Sequence, residues 1–195
     1  MTSFMLKHTS FLFSFILIVS LATNTFTPRA TAQVIVPQRP NNSELKKLLD
    51  EGHRLVDVGD YNEAISIYQQ AATIQPKNAS IHSGIGFAYT RLGNYPAALE
   101  EFRRAVQLEP NNSNYQYALG YISGSLNDYR TAREAYRRAI QSNRNNVDAY
   151  IGLATILLRL GERSNAMWAY EEAAKIDPRN PLVSEFKNNM LIQQR

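Results

Sequence analysis

The sequence predicts an all-α protein built as a stack of helical hairpins, and three observations predict it. First, a period of 34 residues runs without a gap from Leu45 to Asn180. Second, small and aromatic residues recur in register: Ala64, Ala98, Ala132 and Ala166 share a column, followed four places later by Tyr68, Phe102, Tyr136 and Tyr170, and three later by Ala71, Ala105, Ala139 and Ala173. Third, apolar residues inside each period fall at helical spacing, interrupted once in the middle and once at the end. A period of this length belongs to stacked helix-turn-helix units. Each unit buries its apolar side on its neighbour, so the repeats form one quasi-one-dimensional domain.

Residues 1–32 read as a cleavable signal peptide. Lys7 and His8 lie ahead of an apolar run of 12 residues from Phe11 to Ala22, and Ala30-Thr31-Ala32 supplies a small-x-small cleavage signal. The run is shorter than the roughly 20 residues a membrane-spanning helix needs. Cleavage after Ala32 leaves Gln33 first; cleavage after Ala22, or retention of residues 11–22 as a membrane anchor, stays open. The expected address is therefore exported: periplasm, secreted or an equivalent lumen. Residues 33–43, with Pro37 and Pro40, read as an extended linker. Ser43 is then placed to cap a helix starting near Glu44.

The repeats follow as 45–78, 79–112, 113–146 and 147–180. Between the two helices of each unit stand Gly59, Gly93, Asn127 and Gly161, residues that tolerate the left-handed conformation ending a helix. Pro96 falls in a first turn, where a missing amide does no harm. Asn78, Asn112, Asn146 and Asn180 close the units in the place of a cap for the next helix. In the last stretch, 181–195, Val183, Phe186 and Met190 make one apolar stripe, which predicts a capping helix over the final unit.

At these residues the chain resembles the tetratricopeptide repeats. The family's small residue at position 8 is matched by Gly52, Gly86, Gly120 and Ala154, and its alanine at 20, aromatic at 24 and alanine at 27 by the columns above. Its proline at 32 is matched by Pro76, Pro110 and Pro178, whereas Arg144 stands in the third unit. Position 4, tryptophan-like in the family, holds Leu48, His82, Gln116 and Tyr150. The resemblance covers 136 of the 195 residues. It implies a right-handed superhelical stack of four repeats whose first helices line a concave, partner-binding groove.

Carried over residue by residue, the family's groove positions give Lys46, Leu49, His53, Val56 and Asp57 in the first unit and Ser80, Ser83, Phe87, Thr90 and Arg91 in the second. The third supplies Asn114, Tyr117, Tyr121, Gly124 and Ser125, and the fourth Asp148, Ile151, Thr155, Leu158 and Arg159. Of these, Leu49, His53, Ser83, Phe87, Arg91, Tyr117, Tyr121, Ile151, Thr155, Leu158 and Arg159 are the expected partner-binding residues. The centre, Phe87, Tyr117 and Tyr121, has the rigid aromatic composition of a contact surface, although the same rings serve equally well in packing. The lysine, asparagine and arginine clamp with which some family members hold a chaperone's C-terminal carboxylate is absent: Leu49, His53, Gly84, Asn114 and Ala118 stand there.

Other chemistries lack their residues. With no cysteine there are no disulfides, thiolate metal sites or cysteine nucleophile. Past the leader the histidines are His53 and His82, on different faces, and no metal spacing or phosphate loop is present. The formal charge of +4 falls once Lys7 and Arg29 leave with the leader, to 19 basic against 17 acidic residues. That excess is too small to indicate nucleic acid. Arg103, Arg104, Arg133, Arg137 and Arg138 fall on second helices, where Glu100 to Arg104 and Glu134 to Arg138 are spaced as i,i+4 ion pairs. The sequence thus predicts a non-enzymatic scaffold without cofactor, metal or nucleic acid. It is expected to bind a protein or extended peptide in its groove and to aid assembly or stability of an envelope or membrane complex. Two alternatives stand beside it: a membrane-anchored scaffold that forms homo-oligomers, and, from another class, a glycan-binding or accessory module of an envelope enzyme.

Overall fold

The glycine and alanine columns dictate how closely the helices approach, and that spacing builds the fold. The computed structural model describes residues 42–192, with side chains through Asn189; the expected signal peptide and residues 33–41 of the expected linker lie outside the described residues. Among the described residues there are nine α-helices and no strand. They are α1 (Asn42–Val58), α2 (Tyr61–Ile74), α3 (Ala79–Arg91), α4 (Tyr95–Leu108), α5 (Ser113–Ser125), α6 (Tyr129–Ser142), α7 (Val147–Arg159), α8 (Arg163–Ile176) and α9 (Pro181–Ile192). Ser43 lies inside α1 rather than ahead of it, because the chain is already helical at Asn42.

Each helix packs on the next along the chain, and α1 meets α3, α5 meets α7 and α7 meets α9 side by side. Gly52, Gly86 and Gly120 are buried against the rings of Tyr68, Phe102 and Tyr136, within each hairpin. A Cβ on Gly52 would sit 2.5 Å from the Tyr68 ring, so no other residue fits without movement. The turn residues behave as their types require. Gly59, Gly93 and Gly161 have φ of 89°, 74° and 79°, and Asn127 takes the same left-handed conformation at 61°.

The unit-closing asparagines cap the helices that follow. Asn78 Oδ1 accepts from Ser80 N at 3.1 Å, Asn112 from Asn114 N at 3.1 Å, Asn146 from Ala149 N at 2.9 Å and Asn180 from Leu182 N at 2.8 Å. Position 4 serves an unexpected purpose. His82 Nε2 lies 2.9 Å from the Pro76 carbonyl and Gln116 Nε2 donates to the Pro110 carbonyl at 2.9 Å, so each ties its helix to the preceding unit. His82 Nδ1 lies 2.7 Å from Glu101 Oε2, which leaves the ring buried with both nitrogens on acceptors.

At the far end α9 packs on α7 and α8. Val183 and Phe186 are buried there, and Phe186 stacks on Tyr170 at 5.3 Å between centroids. The core runs through the stack as three apolar clusters, centred on Tyr68, Phe102 and Tyr136. No described helix is long and apolar enough to cross a membrane.

Candidate functional site

Two glycines decide where the inner face opens. At position 6, Gly84 and Gly152 follow a tyrosine at position 24 of the preceding unit, whereas Ala118 follows Phe102. A Cβ on Gly152 would lie 2.4 Å from Tyr136 Cζ and 2.9 Å from its hydroxyl; one on Gly84 would lie 2.8 Å from Tyr68 Cζ. The missing side chains let the tyrosine rings extend beneath the next first helix, and α1 approaches α3 and α5 approaches α7 more closely than α3 approaches α5. Gly124 adds to this at the second pair, where Ile156 Cδ1 fills the space its Cβ would take.

The result at the α5–α7 junction is a cavity of about 400 Å³. Five of the expected binding residues converge on it: Tyr117, Tyr121, Ile151, Thr155 and Arg159. Tyr117 is half-buried, with its ring tilted on Tyr136 at 5.9 Å, while Tyr121 is 46% exposed and stands as a free wall. Ile151 is nearly all core, and presents only its edge. Thr155 Oγ1 donates to the Ile151 carbonyl at 2.9 Å, which leaves its methyl as the outward group. Arg159 is exposed at the end of the helix.

The other six expected residues do not line this cavity. Leu49 and Leu158 are half-buried against the apolar clusters, so they serve the core first. His53 packs edge-on against Tyr68 at 5.8 Å, and Ser83 is half-buried on α3. Phe87, 45% exposed, remains an open aromatic surface. Arg91 is engaged within the protein: its Nε donates to Tyr61 Oη at 3.0 Å, and its guanidinium lies 5.6 Å from the centre of that ring.

Several lining residues escaped the family positions. Tyr136 belongs to the buried column, Gly152 to no groove position, and Asn127, Tyr129, Ile156 and Leu182 complete the wall from the turn, α6, α7 and α9. The pairing of a tyrosine at position 24 with a glycine at the next position 6 was the readable signal for Tyr136. Burial pushes the Tyr136 hydroxyl far above its ordinary pKa, reinforced by the neighbouring hydroxyls of Tyr117 and Tyr121; Tyr117 is raised by burial and then by Asp148. The Tyr117 and Tyr136 hydroxyls are therefore neutral donors at neutral pH. Among the described residues no three His, Cys, Asp or Glu side chains gather as a metal site.

The outer face carries the expected charges with one change of partner. Arg138 bonds Glu134 at 3.1 Å as spaced, but Arg104 bonds Glu101 at 3.0 Å and Glu100 takes Arg103 at 3.0 Å. Glu101 is held in place by His82, so it is the better-fixed acceptor for Arg104. Arg133 bridges to Glu162 of the next unit at 2.9 Å.

Two models described as tetratricopeptide repeat match the sequence, over residues 55–120 and 117–181. No curated protein matches it. Among solved structures the chain is similar to a crystal structure of MamA protein, with TM-score 0.68, 26% identity, and 76% of this chain and 85% of that one covered. It is also similar in fold to pilF of Pseudomonas aeruginosa, with TM-score 0.71 and 17% identity over 78% of this chain and 70% of that one. A third similar fold is the first such repeat domain of Spaghetti (RPAP3) bound to the HSP90 peptide SRMEEVD, with TM-score 0.61 and 23% identity over 64% of this chain and 98% of that one.

Proposed function

Because the chain belongs to the tetratricopeptide repeat family, we propose that it is a non-enzymatic scaffold that holds an extended segment of another protein against its first helices. The convergence of Tyr117, Tyr121, Ile151, Thr155 and Arg159 on one cavity carries this reading. Rigid rings with hydroxyl handles beside an apolar edge give contact area at low entropic cost, which is what anchors a peptide. Phe87 extends the aromatic surface towards the second unit. The similar Spaghetti domain holds a peptide of its partner, and that supports a peptide as the ligand class here. The side chains of this groove differ from a carboxylate clamp, so the segment it takes is of another composition.

The leader read from the sequence supports an address outside the cytosol, in the periplasm or an equivalent compartment, where a cysteine-free helical stack needs no oxidative folding. There the task is to assemble or stabilise an envelope or membrane complex. Replacing Phe87, Tyr117 and Tyr121 together with alanine should abolish capture of the partner from envelope extracts while the helical signal and melting profile persist. Capture that survives the triple substitution refutes the groove. N-terminal sequencing of the exported protein should find Gln33 first, and a retained Met1 would refute the cleaved leader in favour of an anchor.

A further inference from the structure

Arg91 and Arg159 occupy the same place in the second and fourth units, yet only one is occupied. Arg91 is bonded to Tyr61 and lies over its ring. The matching tyrosine for Arg159 is Tyr129, whose hydroxyl instead donates to Asn127 Oδ1 at 2.7 Å. Asn127 stands where the other units have glycine, and its left-handed backbone, φ 61°, turns that side chain towards Tyr129. Arg159 therefore has no hydrogen bond or ion pair among the described residues, and it lines the cavity.

A carboxylate lines the same cavity from the other end of α7. Asp148 is half-buried, and its sole side-chain hydrogen bond among the described residues comes from the Asn180 amide at 3.5 Å. It has no cation partner there. Asp148, Ile151, Thr155 and Arg159 lie on one stripe of α7, with the two charges three turns apart, about 16 Å along the axis. Facing the stripe are the rings of Tyr117 and Tyr121 on α5.

Building on the groove reading, we propose that this cavity selects an extended segment of the pattern basic–x–apolar–x–acidic. The basic side chain is received by Asp148 and the nearby tyrosine faces, the apolar one by the Tyr117, Tyr121 and Ile151 wall, and the acidic one by Arg159. Side chains two and four residues apart point to one side of an extended chain and span about 13 Å. The reach of arginine and glutamate covers the remaining distance. A tyrosine wall beside a carboxylate suits a guanidinium or ammonium, and a free arginine suits a carboxylate.

The test titrates the purified full chain into labelled, end-blocked peptides carrying Arg-Ser-Leu-Ser-Glu, its neutral counterpart Gln-Ser-Leu-Ser-Gln, and the like-charged Arg-Ser-Leu-Ser-Arg. The first should bind tightest, with about a fivefold loss for each charge removed, and Asp148→Asn should erase the benefit of the arginine. Arg159 is exposed, so Arg159→Glu leaves the fold intact; it should reverse the preference in favour of the doubly basic peptide. Equal binding of the charged and neutral peptides, with both lost in Tyr117→Ala/Tyr121→Ala, overturns the charge pattern and leaves the groove standing. Binding unchanged in that tyrosine variant overturns both. No binding of any of the three peptides, while partner capture still depends on the tyrosines, also overturns the charge pattern alone.

Discussion

Gly152 and Tyr136 show how one residue pair sets the shape of the inner face. Tyr136 reaches under α7 only because Gly152 has no side chain, and it then joins the lining of the cavity. Gly152→Ala should therefore destabilise the fold by about 1 to 3 kcal/mol, since the new methyl meets a buried ring that cannot swing away. The Phe102 and Ala118 pair shows the alternative solution. Adding Tyr136→Phe to Gly152→Ala should recover part of the loss, so a double-mutant cycle measured by urea denaturation will show favourable coupling. An additive cycle would refute the pairing. Tyr68 makes a second prediction, because burial and then Asp57 push its hydroxyl up to about 12. The unfolded chain releases that proton from about pH 10, so the stability is fully present below this and falls as pH rises towards the folded value. Between about pH 10 and 12 each such tyrosine costs roughly 1.4 kcal/mol per pH unit, and Tyr68→Phe should flatten the decline measured by denaturant titration.

Among the described residues six helices, α3 to α7 and α9, begin with a side-chain cap. Asn112 accepts from both Asn114 N and Tyr115 N, which satisfies amides that α5 cannot pair internally. Asn112→Ala should cost about 1 kcal/mol of unfolding free energy, and Asn112→Asp far less. That helix has little else of its own: its last turn is Ile122-Ser123-Gly124-Ser125, and the Ser123 hydroxyl is buried without a partner. Position 4 offers another element-scale test. His82→Gln keeps a donor for the Pro76 carbonyl, as Gln116 does for Pro110, and should be tolerated; His82→Leu leaves that carbonyl and Glu101 Oε2 without the ring, Arg104 remaining on Oε1, and should lower the melting temperature by several degrees, about 1 to 3 kcal/mol. Equal melting of the two variants would show that the ring serves only as filler.

Across the described stack, the hairpins are not equivalent in spacing. The close approaches of α1 to α3 and of α5 to α7 are not repeated between α3 and α5. The cavity falls at the second close pair, next to α9, which contributes Leu182 to its wall. Truncation before Pro181 should therefore do two things at once. It exposes the apolar surface of α7 and α8 that Val183 and Phe186 cover, lowering stability, and it removes one wall of the cavity. Peptide affinity and melting temperature measured on the truncated chain should fall together; unchanged affinity would place the segment elsewhere on the stack.

The sequence by itself determined the all-α stack, because its signals are local and repeated. A small residue opposite an aromatic ring, a left-handed turn residue and an asparagine cap specify a hairpin wherever they occur, and a fixed period forces the hairpins to stack. Tyr117, Tyr121, Ile151, Thr155 and Arg159 were also legible as an inner stripe, but only through the family resemblance, whose groove positions they match. Only the tertiary structure decided which stripe residues are free. Arg91 and Arg159 are indistinguishable by position, and a hydrogen bond from Tyr129 to Asn127, reached across a turn, separates them. The opening of the cavity likewise depends on Tyr136 meeting Gly152 between units. Availability of a side chain is a property of its neighbours in space, and the period that fixes the fold is silent about them.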